Sequence, residues 1–425
     1  MPSSSRPPSP GDLQEEQIIA LLRTGAHAAL MSAYFGDRAY RELSQLAKLA
    51  AIRRNDRGPL VFILPGIMGS SLGRTPLHSG LIWLHPAAIS AGLLTKLASP
   101  SADLKPVGVM LPGYLKLKFS LEIAGFRPIF HPFDWRGGLF EAGRELLDAI
   151  ETSAARSVMV IAHSMGGLVA RAALALDTAR RIGKLIQLGA PNRGSYAPVQ
   201  AMRAVYPTVR KIAALDRSHS AEDLARQVFR TLPGLYQLLP DGEQDFFDLR
   251  SWPDDELAPD ASLLEQARES RSRLASADER CFVIAGMQQD TIVRADLRDG
   301  QLEYTLRRAG DGTVPLTSAH WNRARTWYAA EAHGGLTGNN TVLAALDDIL
   351  MHGETQRLPS HPPKADPTVV RVVTDRELRQ QALHKVPWES LSLDSRRRIL
   401  EPVLSPEFEK EMDAGKEDAA RERLQ

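Results

Sequence analysis

The sequence predicts an α/β fold, a mostly parallel sheet with helices on both faces. Short apolar runs alternate with helical patterns along most of the chain, the signature of successive strand–helix–strand units. One junction, Val158-Met159-Val160-Ile161 followed by Ala162-His163-Ser164-Met165-Gly166, has the small residues that a sharp strand-to-helix turn requires. The 425 residues, 43% hydrophobic and 24% charged, supply apolar side chains for one large core or two smaller ones.

From Asp12 to Arg54 apolar residues recur at helical spacing: Ile18, Ile19, Leu21 and Leu22, then Leu30, Met31 and Tyr34, then Leu43, Leu46 and Leu49. This predicts two or more amphipathic helices, broken near Gly36-Asp37. Their default role is packing on the main domain. Mixed acidic and basic residues on the polar face disfavour a membrane-surface role. Residues 1–55 are therefore expected to form an N-terminal helical extension.

The main domain, 56–355, opens with Pro59-Leu60-Val61-Phe62-Ile63-Leu64, a run suited to a buried parallel strand. Further strands are predicted at Arg127–Phe130, Val158–Ile161, Lys184–Leu188, Cys281–Ala285 and Arg325–Tyr328. A helix is predicted over Leu139–Ser153, with Asp134 as its cap. Two insertions interrupt the alternation. Residues 82–111 are apolar, with a helix around Ala87–Leu97. Residues 196–280 are mostly helical, broken by Pro207, Pro233, Pro240, Pro253 and Pro259. Insertions at the C-terminal edge of a sheet commonly become lids. After Glu354 comes a proline-rich linker, then a strand at Val369–Val373, short helices and a charged tail, so 356–425 reads as a small C-terminal extension.

A formal net charge of +1 argues against a nucleic-acid partner. The single cysteine, Cys281, rules out an internal disulfide and reads as a small core residue. The 11 histidines are scattered, no cluster has metal-ligand spacing, and no cofactor is called for. Met1 to Gly11 is rich in serine and proline and lacks an apolar signal core, which favours a cytoplasmic location.

A serine hydroxyl becomes a nucleophile when a neighbouring base takes its proton and an acid orients that base. In this type of sheet the three arrive in the order serine, acid, histidine. Downstream of Ser164, Asp311 sits between Gly310 and Gly312, and His333 follows the strand that contains Trp327. Asp290 also follows the Cys281 strand and stands as an alternative acid. His320 follows Asp311 too soon for an intervening strand, and Asp134 precedes the serine. His163 reads as a packing residue beneath the site. The bland alternative is that Ser164 only caps a buried helix.

An oxyanion needs two fixed donors. One candidate is the Met165 N–H at the start of the serine helix, where the helix dipole helps. The other is the Ile67 N–H in Pro65-Gly66-Ile67-Met68-Gly69-Ser70, where Gly66 and Gly69 let backbone approach a ligand closely. A Pro-Gly turn after a strand can equally be an ordinary loop.

Four motifs together resemble the lecithin:cholesterol acyltransferase-like branch of the α/β-hydrolases: Pro65–Ser70, Phe133-Asp134-Trp135-Arg136, the Ser164 turn, and Gly310–Val314. The likeness spans about Leu60 to Met351. It implies an α/β-hydrolase fold with a helical cap, with Ser164 as nucleophile, Asp311 as acid, His333 as base, and Ile67 and Met165 as oxyanion donors. It also places Trp83 in a lid region beside the substrate, with Gly66. The expected function is a serine esterase or lipase acting on acyl esters of lipids through an acyl-enzyme. The alternatives are an acyltransferase with an alcohol acceptor, or a non-catalytic binding module on the same fold. The apolar insertions would shelter an acyl chain, and the terminal extensions are candidate contacts with a membrane surface or partner protein.

Overall fold

A computed structural model describes residues 13–74, 80–99, 103–362, 364, 368–381 and 384–386. Met1–Gly11, part of the proline-rich linker and the charged tail therefore lie outside the described residues. The chain begins with helices α1 (Glu15–Thr24), α2 (Ala28–Phe35) and α3 (Asp37–Arg53). Strand β1 (Leu60–Leu64) follows, with all five residues buried, as a strand covered on both faces requires. Next come β2 (Ser70–Gly73), β3 (Leu81–Trp83), α4 (Pro86–Ser90) and β4 (Lys105–Val109). Then the expected alternation runs through α5 (Leu111–Ile123), β5 (Arg127–Phe130), α6 (Leu139–Thr152), β6 (Val158–His163), α7 (Met165–Leu176) and β7 (Ile182–Leu188).

Helices α8 (Ala197–Met202), α9 (Pro207–Leu215), α10 (Ala221–Gln227), α11 (Pro233–Tyr236) and α12 (Ala261–Ser272) fill the second insertion. Prolines open α9 and α11 at the first helical position, where the missing N–H costs nothing. Strand β8 (Cys281–Gly286) returns to the core. It is followed by β9 (Gln289–Arg298), β10 (Gln301–Gly310), α13 (Leu316–Ala319), β11 (Arg325–Ala329), α14 (Asn340–His352), β12 (Val369–Thr374) and α15 (Asp375–Gln380).

The six apolar runs read as core strands form one sheet in the order β11-β8-β7-β6-β1-β5. Every neighbouring pair is parallel. Between β1 and β6 the order reverses: β5 lies to one side and all later strands to the other. Such a reversal opens a crevice at the carboxyl ends of the strands. The loop after β1 and the turn after β6 both lie at that crevice.

The N-terminal helices break at two glycines with positive φ, Gly25 (φ 75) and Gly36 (φ 82). Ile18, Leu22, Met31, Phe35, Leu43 and Ala47 are buried in one cluster with Leu115 and Phe119 of α5. Full burial of such side chains contributes about 1.5–3 kcal/mol each, so the apolar stripe is used in packing. Among the described residues no single helix is long and apolar enough to cross a membrane.

Three expectations need correction. Asp134 does not cap α6. Its carboxylate accepts from Arg136 Nε (2.9 Å) and Nη2 (2.7 Å), because that guanidinium is only 3% exposed and needs an anion. The start of α6 is held instead by Glu141, which accepts from the Gly138 N–H, and by Gln237, which accepts from the Leu139 N–H. The helix expected over Ala87–Leu97 is divided at Gly92 (φ 72) into α4 and a 3-10 turn, Leu93–Leu97. The first insertion also supplies β3 and β4, which pair with β2 in a small antiparallel sheet.

The β9–β10 hairpin was not expected. Asp299 (φ 48) and Gly300 (φ 72) make its turn, both with the positive φ that a tight two-residue hairpin demands. Strand β12 adds to the same sheet by pairing with β10. The C-terminal segment is also tied to the second insertion: Asp375 and Arg203, both 0% exposed at the side chain, form an ion pair at 2.8 Å.

Candidate active site

Ser164 sits between β6 and α7 with φ 54 and ψ −125, a strained conformation for a residue with a side chain. The surroundings enforce it. The Ser164 N–H donates to the Leu188 carbonyl (2.9 Å). A Cβ on Gly166 would lie 2.5 Å from the Pro65 carbonyl oxygen, and one on Gly167 2.4 Å from Ala190 Cβ. Only glycine permits strand and helix to approach this closely.

His333 follows β11 and begins a 3-10 turn. Its Nε2 lies 2.8 Å from Ser164 Oγ, and its Nδ1 lies 2.8 Å from Asp311 Oδ2. The other Asp311 oxygen accepts from the N–H groups of Thr313 (3.0 Å) and Val314 (2.7 Å), so the carboxylate has one orientation. Its seat is cut by glycines. A Cβ on Gly286 would meet Asp311 Cβ at 2.6 Å, and one on Gly189 would meet Oδ2 at 3.1 Å. With the carboxylate receiving Nδ1–H, Nε2 is left to accept a serine proton. Asp290 lies exposed on β9 and His320 is exposed after α13; neither makes these contacts.

The turn after β1 lies against the serine. A Cβ on Gly66 would stand 2.9 Å from Ser164 Cβ and 3.4 Å from Oγ. The Gly66 N–H donates to the Tyr114 hydroxyl (2.9 Å). None of the described hydrogen bonds engages the N–H of Ile67 or of Met165, and Met165 is the first residue of α7, where backbone donors lack helical partners.

Trp83 is a correction. It is 1% exposed and does not line the cavity at Ser164. Its indole N–H donates to the Met68 carbonyl (2.7 Å), and its ring meets Trp135 edge-on at 5.3 Å. It braces the Gly66–Met68 turn from behind, because an indole this large is more stable in the core than at a solvent-facing rim.

Two residues have a larger part than their sequence context revealed. The Tyr114 hydroxyl is 3.0 Å from His163 Nδ1, and His163 Nε2 is 3.0 Å from the His333 carbonyl oxygen. Burial first, and the neighbouring His333 second, push the His163 imidazole down to about 3. His163 is therefore neutral, donating through Nε2 and accepting at Nδ1 from Tyr114. No local pattern signals Tyr114; the tie becomes visible only when α5 lies under β6.

An apolar cavity of about 170 Å³ opens at Ser164, lined by Ile67, Met68, Met110, Tyr206, Leu235 and Leu238 among others. Both insertions contribute to its wall. Among the described residues no group of three or more His, Cys, Asp or Glu side chains could hold a metal ion.

The parallel sheet, with a strained serine at its reversal point joined to an imidazole and a carboxylate, is the arrangement of the α/β-hydrolase fold. Residues 120–275, which hold two of the four motifs, Phe133–Arg136 and the Ser164 turn, match the family model described as lecithin:cholesterol acyltransferase. No curated protein sequence matches the chain. Among solved structures, the Tle4-Tli4 complex is similar with TM-score 0.51 at 14% identity, covering 70% of this chain and 99% of that one. The mature lipase BlEst2 of Bacillus licheniformis aligns with TM-score 0.36 at 14% identity, over 69% of this chain and 92% of that one. The phospholipase PlaB of Legionella pneumophila aligns with TM-score 0.28 at 15% identity, over 61% and 45% respectively. Identities this low speak to the fold alone.

Proposed function

We propose that the protein is a serine ester hydrolase acting on acyl esters of lipids or lipid-like molecules through a covalent acyl-enzyme. One observation carries the proposal: His333 bridges Ser164 Oγ and Asp311 Oδ2 with 2.8 Å contacts on both sides. In this reading Ser164 Oγ attacks the ester carbonyl while its proton passes to His333 Nε2. Asp311 holds the imidazole and stabilises the imidazolium. The carbonyl oxygen gains negative charge and takes hydrogen bonds from the N–H groups of Ile67 and Met165, whose positions are set before the reaction. The imidazolium then protonates the departing alkoxide, leaving an acyl ester on Ser164. Water, deprotonated by the same imidazole, releases the acid.

The family match over 120–275 favours a second reading, in which an alcohol replaces water at the last step. The same residues would serve, so products distinguish the two. A new ester formed with a lipid alcohol present marks transfer; free acid alone marks hydrolysis.

A fluorophosphonate should label the intact protein at Ser164, and Ser164→Ala should lower kcat by about 10⁴-fold or more. A folded protein that resists labelling, or a variant that retains turnover, would remove the assignment.

A further inference from the structure

Arg171 on α7 and Arg271 on α12 are half-buried cations with no carboxylate partner among the described ion pairs. Arg171 donates from Nε to the Ala275 carbonyl (3.1 Å) and from Nη1 to the backbone and side-chain oxygens of Asn192 (3.2 Å each). Arg271 donates from Nη1 to the carbonyls of Leu239 (2.9 Å) and Gln237 (3.4 Å). No described hydrogen bond uses Arg171 Nη2, or Nε and Nη2 of Arg271. Both residues line one cavity of about 470 Å³, separate from the apolar cavity at Ser164.

The walls hold these groups in place. Trp321 lies over the Arg171 guanidinium at 5.0 Å, and Phe247 over that of Arg271 at 5.9 Å. Two carboxylates also line the cavity, and each has its own arginine: Asp245 with Arg268 at 2.8 Å and Asp241 with Arg193 at 3.4 Å. Burial, then repulsion from Arg271, pulls Arg171 down to about 10. Burial does the same to Arg271, with Asp241 opposing the shift. Arg193 adds to the burial at Arg271 as Arg271 adds to it at Arg171, and an anion entering the recess that both line would favour both charges.

We propose that this cavity is a binding site for a phosphate or phosphomonoester group, with Arg171 and Arg271 as its two forks. A planar guanidinium matches phosphate oxygens in pairs, and the volume accommodates a phosphate with a small ester substituent. The site borders the loop that supports the imidazole. Asn192 belongs to that loop, Pro191 and Ser195 line the apolar cavity, and a Cβ on Gly189 would stand 3.2 Å from His333 Nδ1.

The test titrates the full chain calorimetrically with inorganic phosphate and with glycerol 3-phosphate at constant ionic strength. In parallel, sedimentation is measured with phosphatidylcholine vesicles with and without phosphatidic acid. Saturable binding of the soluble anions, weakened at least about tenfold by Arg171→Gln and by Arg271→Gln, supports a site for a free phosphate ester. Sedimentation only with phosphatidic acid, lost in the same variants, assigns the site to a lipid headgroup. Because either variant can disturb packing, the wild-type chain is also modified with phenylglyoxal, and the ligand that bound should protect both arginines. Binding of neither kind, binding unchanged in both variants, or both arginines left unprotected overturns the proposal.

Discussion

His163 Nε2 donates to the carbonyl oxygen of His333 across 3.0 Å, so the residue before Ser164 holds the backbone of His333. The chain of contacts continues through His163 Nδ1 and the Tyr114 hydroxyl to the Gly66 N–H. The turn after β1 and the loop that carries His333 are thereby joined through a buried phenol and a neutral imidazole.

Tyr114→Phe removes the middle of that chain and leaves the Gly66 N–H and His163 Nδ1 without a partner. A neutral hydrogen bond is worth about 0.5–1.5 kcal/mol, so kcat should fall by up to about tenfold. KM should hold steady, since a loosened base and oxyanion turn act in the transition state. Steady-state kinetics on a chromogenic ester reads both. A change confined to KM would deny this coupling.

Acid should weaken the fold before most carboxylates titrate. Burial pushes the His131 imidazole down to about 4, and His163 to about 3, from 6.5. The unfolded chain binds protons that these folded histidines refuse. Their contribution is thus present in full above about pH 6.5 and is lost as pH falls toward 4 and then 3. Urea unfolding at pH 7.5 and pH 5 measures the drop. In His131→Asn the drop should shrink by up to about 2 kcal/mol, and an unchanged drop would contradict this account.

The second insertion is fastened from outside the main sheet. Arg203, between α8 and α9, pairs with Asp375 at 2.8 Å and with Asp255 at 2.7 Å. Removing one partner of a buried pair typically costs about 3–5 kcal/mol. Asp375→Ala should lie near 3, because Asp255 still compensates Arg203. Urea unfolding of the full chain checks it; a loss below about 1 kcal/mol would mean that the pair does not anchor the segment.

Acyl-chain preference should follow cavity size. A cavity of about 170 Å³ is close to an engineered one of about 150 Å³ that accepts benzene. Among p-nitrophenyl esters, kcat/KM should therefore peak at about six carbons or fewer. A rate that climbs steadily to long chains would show instead that α8 and α9 move apart during turnover.

The serine turn was legible because its causes are local: an apolar strand, small residues at the crossing, and an alanine-rich helix within a few positions of Ser164. The six core strands were legible for a similar reason, since burial on both faces leaves short unbroken apolar runs. The β9–β10 hairpin carries one local signal, Asp299-Gly300. Its strands are rich in arginine and half exposed, so no apolar run announced them. Trp83 was misplaced because a motif says which residue stands near a lid and not which way an indole points.

By itself the amino-acid chain determined the fold class, the strained turn at Ser164 and a short choice of acids and bases, because backbone preference and apolar periodicity act over a few neighbouring residues. Only the folded molecule set Asp311 against His333 Nδ1, joined Tyr114 to His163, turned Trp83 inward and locked Asp375 onto Arg203. Those contacts join residues far apart in the chain. They depend on how whole helices and strands pack, which no local pattern records.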